Sequence, residues 1–187
     1  MVNSQVMVPL AQVKISGAGE YVSILSMQID TNANEHGVMV ITLCMNSDVE
    51  EFDKKDWVGE QIVAQINAEQ VLFSGECIHF YKNVLAQYCE VTLYVVSQTY
   101  QADFIKNSRT FQNANKTFKE VAENVLGCYG ARIEVDNDKK ISMMLVQDKE
   151  TDWKFIVRVA NQLGYQVYPD VCCEGIGINC GSSGKCS

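Results

Sequence analysis

His36 and His79 are the only two imidazoles in the 187 residues. Any Ser, Cys or Thr nucleophile would need one of them as its base. His36 lies in a turn-like run, Asn34-Glu35-His36-Gly37, and His79 alternates with Ile78 and Phe80 as a strand residue does. Both read as structural. The chain has no G-x-S-x-G elbow, no H-E-x-x-H zinc pair and no glycine-rich phosphate loop. Gly17-Ala18-Gly19-Glu20 carries two glycines but opens no helix, so it reads as a turn. The acids Glu50, Glu51, Asp53 and Asp56 would suit acid–base work on a glycosidic bond or a calcium site. Their spacing and setting do not fit an EF-hand, and a solvated acidic loop explains them.

Cysteine chemistry is no more pointed. Cys44, Cys77, Cys89 and Cys128 stand singly among apolar residues and read as small buried hydrophobes. Cys172, Cys173, Cys180 and Cys186 cluster near the end, spaced CC-x6-C-x5-C rather than in the C-x2-C pairs zinc prefers. They read as ordinary thiols, and disulfides would need an oxidising medium. No catalytic residue, metal ligand or cofactor is expected.

The elements that hold these residues change character near residue 102. Before it the period is two. Tyr21, Ser23, Leu25, Met27 and Ile29 alternate, and residues 38–45 form an apolar run fit for a strand covered on both faces. Residues 62–66 should turn through Asn67-Ala68-Glu69-Gln70 into 71–73. Residues 77–81 should turn through Lys82-Asn83-Val84-Leu85 into 88–97, with Cys89, Val91, Leu93 and Val95 on one face. Gly75 suggests a bulge or bend. The acidic connection 47–59 has room for a helical turn, and Trp57 should plug one end of a barrel. Short strands so spaced predict a small barrel or sandwich.

After residue 102 the period is helical. Phe118, Val121, Ala122, Val125 and Leu126 share a face behind a capping box, Thr117-Phe118-Lys119-Glu120, and Gly127 should end that helix in the left-handed region. Residues 131–135 and 141–146 read as a hairpin turning at 136–139. A second helix carries Trp153, Ile156, Val157, Ala160 and Leu163, ends at Gly164 and leads into a strand over 165–168. The fold class expected is α+β, mainly β: a small antiparallel β-barrel over 1–102 and an inserted helix-hairpin-helix α/β domain over 103–170. Residues 171–187 form a Cys/Gly-rich tail or the start of a return strand.

Charge follows the same division. The net charge is −8, and residues 1–102 hold four lysines against twelve acids, whereas 103–170 are balanced. That argues against phosphate-contact binding of nucleic acid, which needs a basic surface. It suits plain solubility or an acidic lumen that repels cargo. No run of eighteen apolar residues exists to span a membrane, and the N-terminus shows no secretory signal.

Arg109, Phe111 and Gln112 remain. Packing accounts for them better than substrate binding does. Phe111 anchors the passage into the second part, and Arg109 pairs with an acid such as Glu150 or Asp152. Acids at the start of the second helix complement its dipole. Trp153 and Phe155 point into the core, or one of them toward a neighbouring subunit.

Two stretches together carry a resemblance. Arg109-x-Phe111-Gln112-Asn113, then a helix, then Val146-Gln147-x-x-Glu150-Thr151-Asp152-Trp153-x-Phe155-Ile156-x-Arg158 and a helix closing at Gly164, resemble the late control D and VgrG proteins. These are the baseplate hubs of contractile phage tails and related injection systems. The resemblance spans roughly residues 20–170 and is strongest over 107–170. It implies a passive hub without catalysis or cofactor, assembled from copies of itself as a trimer or ring. Such a hub joins tail tube protein to spike protein, lets DNA or protein cargo pass, is built in the cytoplasm and ends in the virion tail or injection apparatus. The chain stops at residue 187, where that family continues through a second barrel. The rival readings are a peptidoglycan hydrolase using Glu50 or Asp53, and a monomeric β binding module.

Overall fold

The computed structural model describes residues 9–45, 49–67, 70–85, 88–112 and 115–181. The chain folds as two compact units, Met1–Asp30 with Val38–Val96, and Thr31–Gly37 with Ser97–Ser187. The architecture is α+β and mainly β.

The first unit is one curled, half-barrel antiparallel sheet. Its strands are β1 (Val13–Ser16), β2 (Tyr21–Asp30), β3 (Val38–Met45), β4 (Gln61–Ile66), β5 (Gln70–Val84) and β6 (Cys89–Ser97), in the order β1-β4-β5-β6-β3-β2. Alternation decides which face is buried. Met39, Ile41, Leu43 and Met45 of β3 pack beside Cys89, Val91, Leu93 and Val95 of β6, with Ile62 and Ala64 of β4. Val38, Val40, Thr42 and Cys44 are only half-buried, so β3 is covered fully on one face, not on both as its apolar run suggested.

Three expectations in this sheet change. In β2 the simple alternation fails because Val22 and Leu25 are extra residues at two register shifts. Each is exposed, at 66 % and 44 %, and Ile24, Met27 and Ile29 stand opposite Leu43, Ile41 and Met39 instead. Bulges of this kind bend an edge strand and increase its twist. Gly75 is not a bulge: it pairs regularly with Ile62, and the register shift falls three residues away, at Leu72. Gly75 is glycine because a Cβ there would lie 2.3 Å from the Val96 carbonyl oxygen. Strand β5 also runs on to Val84, and the turn closes later, where Leu85 N donates to Tyr88 O at 2.9 Å.

The acidic connection does hold a helical turn, α1 (Val49–Lys54). Trp57 behind it is fully buried, its Nε1 donating to Ala18 O at 2.8 Å, its ring edge-on to Phe52 and Phe80. The carbonyl it needs is presented by a turn at Gly17, whose φ is +87°. A Cβ at Gly17 would lie 1.9 Å from Gln61 O, so only glycine fits there.

The second unit packs α2 (Phe118–Leu126) and α3 (Asp152–Gln162) with two small sheets. β7 (Lys106–Phe111) pairs antiparallel with β9 (Leu145–Thr151). β11 (Gly177–Gly181) lies between β10 (Gln166–Pro169) and β8 (Arg132–Val135), antiparallel to the first and parallel to the second. Part of the Cys/Gly-rich tail is therefore a core strand, with Ile178 and Cys180 buried. The two strands between the helices do not pair with each other. Residues 139–141 instead bond to the start of α2, Phe118 N to Lys139 O at 3.0 Å and Ile141 N to Lys116 O at 2.8 Å. That frees β8 for β11 and β9 for β7.

The capping box at α2 forms as its sequence demands. Glu120 N donates to Thr117 Oγ1 at 3.3 Å and Thr117 N to Glu120 Oε2 at 2.9 Å. Thr117→Ala should lower stability by about 1 kcal/mol in urea unfolding. Gly127 remains right-handed at φ −62°, and a 3-10 turn (Gly127–Tyr129) carries the chain on to Gly130, which supplies the left-handed stop at φ 68°. Gly164, at φ 77°, does end α3.

Candidate functional site

Asp152 is the first residue of α3 and its side chain is wholly buried. A carboxylate so placed must be paired and fully hydrogen-bonded. Oδ1 accepts from Gln147 Nε2 at 2.7 Å and Asn107 Nδ2 at 3.0 Å. Oδ2 accepts from Tyr129 OH at 3.2 Å and Arg109 NH2 at 3.3 Å. One carboxylate thus gathers donors from β7, from β9 and from the turn after α2. Burial, and then the Asp152 charge, push the Tyr129 phenol up, so it stays protonated and donates.

Glu150 makes the second ion pair. Both its oxygens take the Arg158 guanidinium, whose NH2 also reaches Val146 O at 2.7 Å. The Glu150 hydrogen bond raises the Arg158 pKa. Arg158 lies 5.3 Å over the Phe155 ring, and Phe155 stacks on Phe111 at 5.5 Å and 19°. Gln147 is buried; its Nε2 also donates to Glu150 O at 3.1 Å, while its Oε1 has no partner among the described residues. Gln112 is exposed, and Asn113 lies outside the described residues. Arg109, Phe111, Gln147, Glu150, Asp152, Phe155 and Arg158 thus meet in one cluster, and Gly164 stands apart at the far end of α3.

A second constellation was hidden in the turn that holds His36. Its Nδ1 is 2.9 Å from Thr99 Oγ1, which is 2.8 Å from Ser97 Oγ, which accepts Gly37 N at 3.0 Å. Its Nε2 faces Asp103 Oδ2 at 3.6 Å, and Asp103 Oδ1 accepts the Thr151 hydroxyl. The ring lies 4.6 Å from Trp153 and edge-on to Tyr100 at 5.5 Å. An acid, an imidazole and two hydroxyls in line are the components of a nucleophilic relay. Ser97 and Thr99 are each 1 % exposed, however, and no substrate carbonyl can reach them. An open cavity of about 760 Å³ lies beside the histidine, lined by His36, Asp103, Trp153, Val157, Arg158 and Asn161 among others.

Glu50 is bound to Lys54 at 2.7 Å and largely exposed, and Asp56 accepts its own loop's Val58 N at 2.9 Å. Burial and then Asp170 push the Cys173 thiol up to about 11, and burial pushes Cys180 up to about 12, so both stay protonated and unreactive near neutrality. Cys186 lies outside the described residues. Among the described residues no group of three or more His, Cys, Asp or Glu could hold a metal ion, and no helix is long and apolar enough to cross a membrane.

The fold has counterparts among solved structures. No family model and no curated protein matches the chain. The 43 kDa tail protein of prophage MuSo2 from Shewanella oneidensis superposes at a TM-score of 0.69 and 14 % identity, over 93 % of this chain and 54 % of that one. A tail protein from Neisseria meningitidis MC58 gives 0.69 at 12 % identity, over 94 % and 52 %. An E. coli component of the type VI secretion system, described as structurally similar to the T4 bacteriophage tail proteins gp27 and gp5, gives 0.65 at 14 % identity, over 89 % and 48 %. The chain has the fold of these proteins and spans about half their length.

Proposed function

We propose that the chain is a structural component of a contractile phage tail or related injection apparatus, a hub of the late control D and VgrG kind. The observation that carries this reading is the use made of the motif residues. Arg109 and Asp152, and Glu150 and Arg158, direct their charges at one another. The fold shared with tail proteins supports it too. In this role the chain joins copies of itself in a trimer or ring, seats tail tube protein on one side and spike on the other, and is assembled in the cytoplasm before entering the tail. Its excess acids keep passing DNA or protein off the wall.

Self-association would use the sheet's outermost strands, β1 and β2, which among the described residues have a neighbour on one side only. On β2 the bulged Val22 and Leu25 stand exposed. Sedimentation velocity should show species heavier than the 20.9 kDa chain, and Val22→Glu with Leu25→Glu should return them to monomer while changing stability by less than about 0.5 kcal/mol. A chain that stays monomeric at its highest soluble concentration would contradict the ring. A peptidoglycan zymogram should show no clearing; clearing would favour a hydrolase.

A further inference from the structure

Residues Thr31–Gly37 connect β2 to β3, yet they pack as part of the second unit. Asn34 fastens the loop: its N donates to Val167 O at 2.6 Å, its Oδ1 accepts Val167 N at 3.1 Å, and its Nδ2 reaches Asn161 Oδ1 at 3.4 Å. Asn34 holds φ 66° to do so, a conformation Asn tolerates better than other residues with a side chain. Gly37 and Ser97 exchange two bonds, Gly37 N to Ser97 Oγ and Ser97 N to Gly37 O at 2.9 Å. Between these two anchors stands His36.

We propose that His36 latches the 31–37 loop through a hydrogen-bond chain that one proton reverses, so that acid loosens the loop.

The direction of the chain follows from its ends. Gly37 N–H can only donate, so Ser97 Oγ accepts at that end. A carboxylate faces Nε2, which favours the tautomer with hydrogen on Nε2 and a bare Nδ1. Thr99 then donates to Nδ1 and Ser97 donates to Thr99, and every hydroxyl in the chain is satisfied. Protonation puts a hydrogen on Nδ1. Thr99 must accept it and turn its own hydrogen toward Ser97. Ser97 Oγ then takes two donors, and its hydrogen has lost the Thr99 acceptor. Ser97 is 1 % exposed, so water does not readily replace that partner. An orphaned buried donor is the costly outcome.

The charges around the ring do not cancel this. Asp103 favours the imidazolium, but at 3.6 Å it makes no hydrogen bond to Nε2, and one of its oxygens already serves Thr151. Glu35, on the same loop, accepts Asn32 Nδ2 at 3.0 Å. From α3, Lys154 and Arg158 line the adjacent cavity, Arg158 paired with Glu150 and Lys154 adding positive charge. Tyr100 and Trp153 bring only rings. Burial prevails over Asp103 and lowers the His36 pKa. The sign is then fixed. A partly buried histidine held neutral contributes fully above its unfolded value of about 6.5, and that contribution is lost as pH falls through this value toward the lower folded one.

The test is an NMR titration of the full chain from pH 7.5 to 5.0. His36 should titrate below about 6.5 from the Nε2–H tautomer. The Gly37 and Asn34 amides, corrected for intrinsic exchange, should lose protection about tenfold for each pH unit of that depression. His36→Gln should remove the pH dependence. If that variant fails to fold, the wild-type titration decides alone. Titration at or above about 6.5, the opposite tautomer, or amide protection unchanged across the range would overturn the latch.

Discussion

Asp152→Ala should destabilise the second unit by about 3–5 kcal/mol, the range for breaking a buried ion pair. The replacement strips acceptors from Asn107, Arg109, Tyr129 and Gln147 at once, and Gln147 is itself buried. Arg109, with a third of its side chain exposed, can rehydrate in part, so the loss should fall toward the lower end. The control is Glu150→Ala. That pair is partly solvated, at 40 % for Arg158 and 21 % for Glu150, and its loss should cost no more than about 1 kcal/mol. Urea unfolding of a Trp57→Phe background, read by Trp153 emission, measures both in the second unit. Equal costs for the two substitutions would mean that the buried cluster is not what holds this unit together.

The second large effect is expected in the first unit. Trp57→Ala should cost about 3–5 kcal/mol, as removal of a fully buried large aromatic does. It empties the space between Phe52 and Phe80 and leaves Ala18 O without its indole donor. Trp57→Phe keeps most of the volume and should cost well under half as much. Loss of far-UV circular dichroism in urea, followed in both variants, measures the difference. A Trp57→Ala variant within about 1 kcal/mol of the parent would show that the tryptophan covers the sheet without supporting it.

What could be read from the sequence was what is local. The capping box at Thr117 and Glu120 lies within one turn of helix, and its residues can do little else. The alternation of Cys89, Val91, Leu93 and Val95 held because β6 is central and regular. The pairing of Arg109 with an acid was legible as chemistry, though Glu150 and Asp152 stood as equal partners. Burial separates them: Asp152 takes Arg109, and Glu150 takes Arg158.

The errors came from long-range choices. A bulge inverts phase, and nothing in Tyr21-Val22-Ser23-Ile24-Leu25 marks which residue is extra. Residues 132–135 have the composition of a hairpin strand, but their partner is β11, more than forty residues on and parallel. Gly127 and Gly130 both suit a helix stop, and the chain takes one more tight turn before using the second. His36 reads as structural in its turn, but its partners, Thr99, Asp103 and Trp153, are 63 to 117 positions away. A histidine between turn formers gives no local sign of such company.

The claim that this is a passive part of a tail or injection apparatus is tested most directly by locating the chain. Particles purified from the producing cell can be labelled with gold-conjugated antibody against it and viewed by electron microscopy. Gold should sit at the baseplate end of the tube, in a fixed number per particle. Particles that carry no label, while the chain remains in the soluble fraction, would contradict the account.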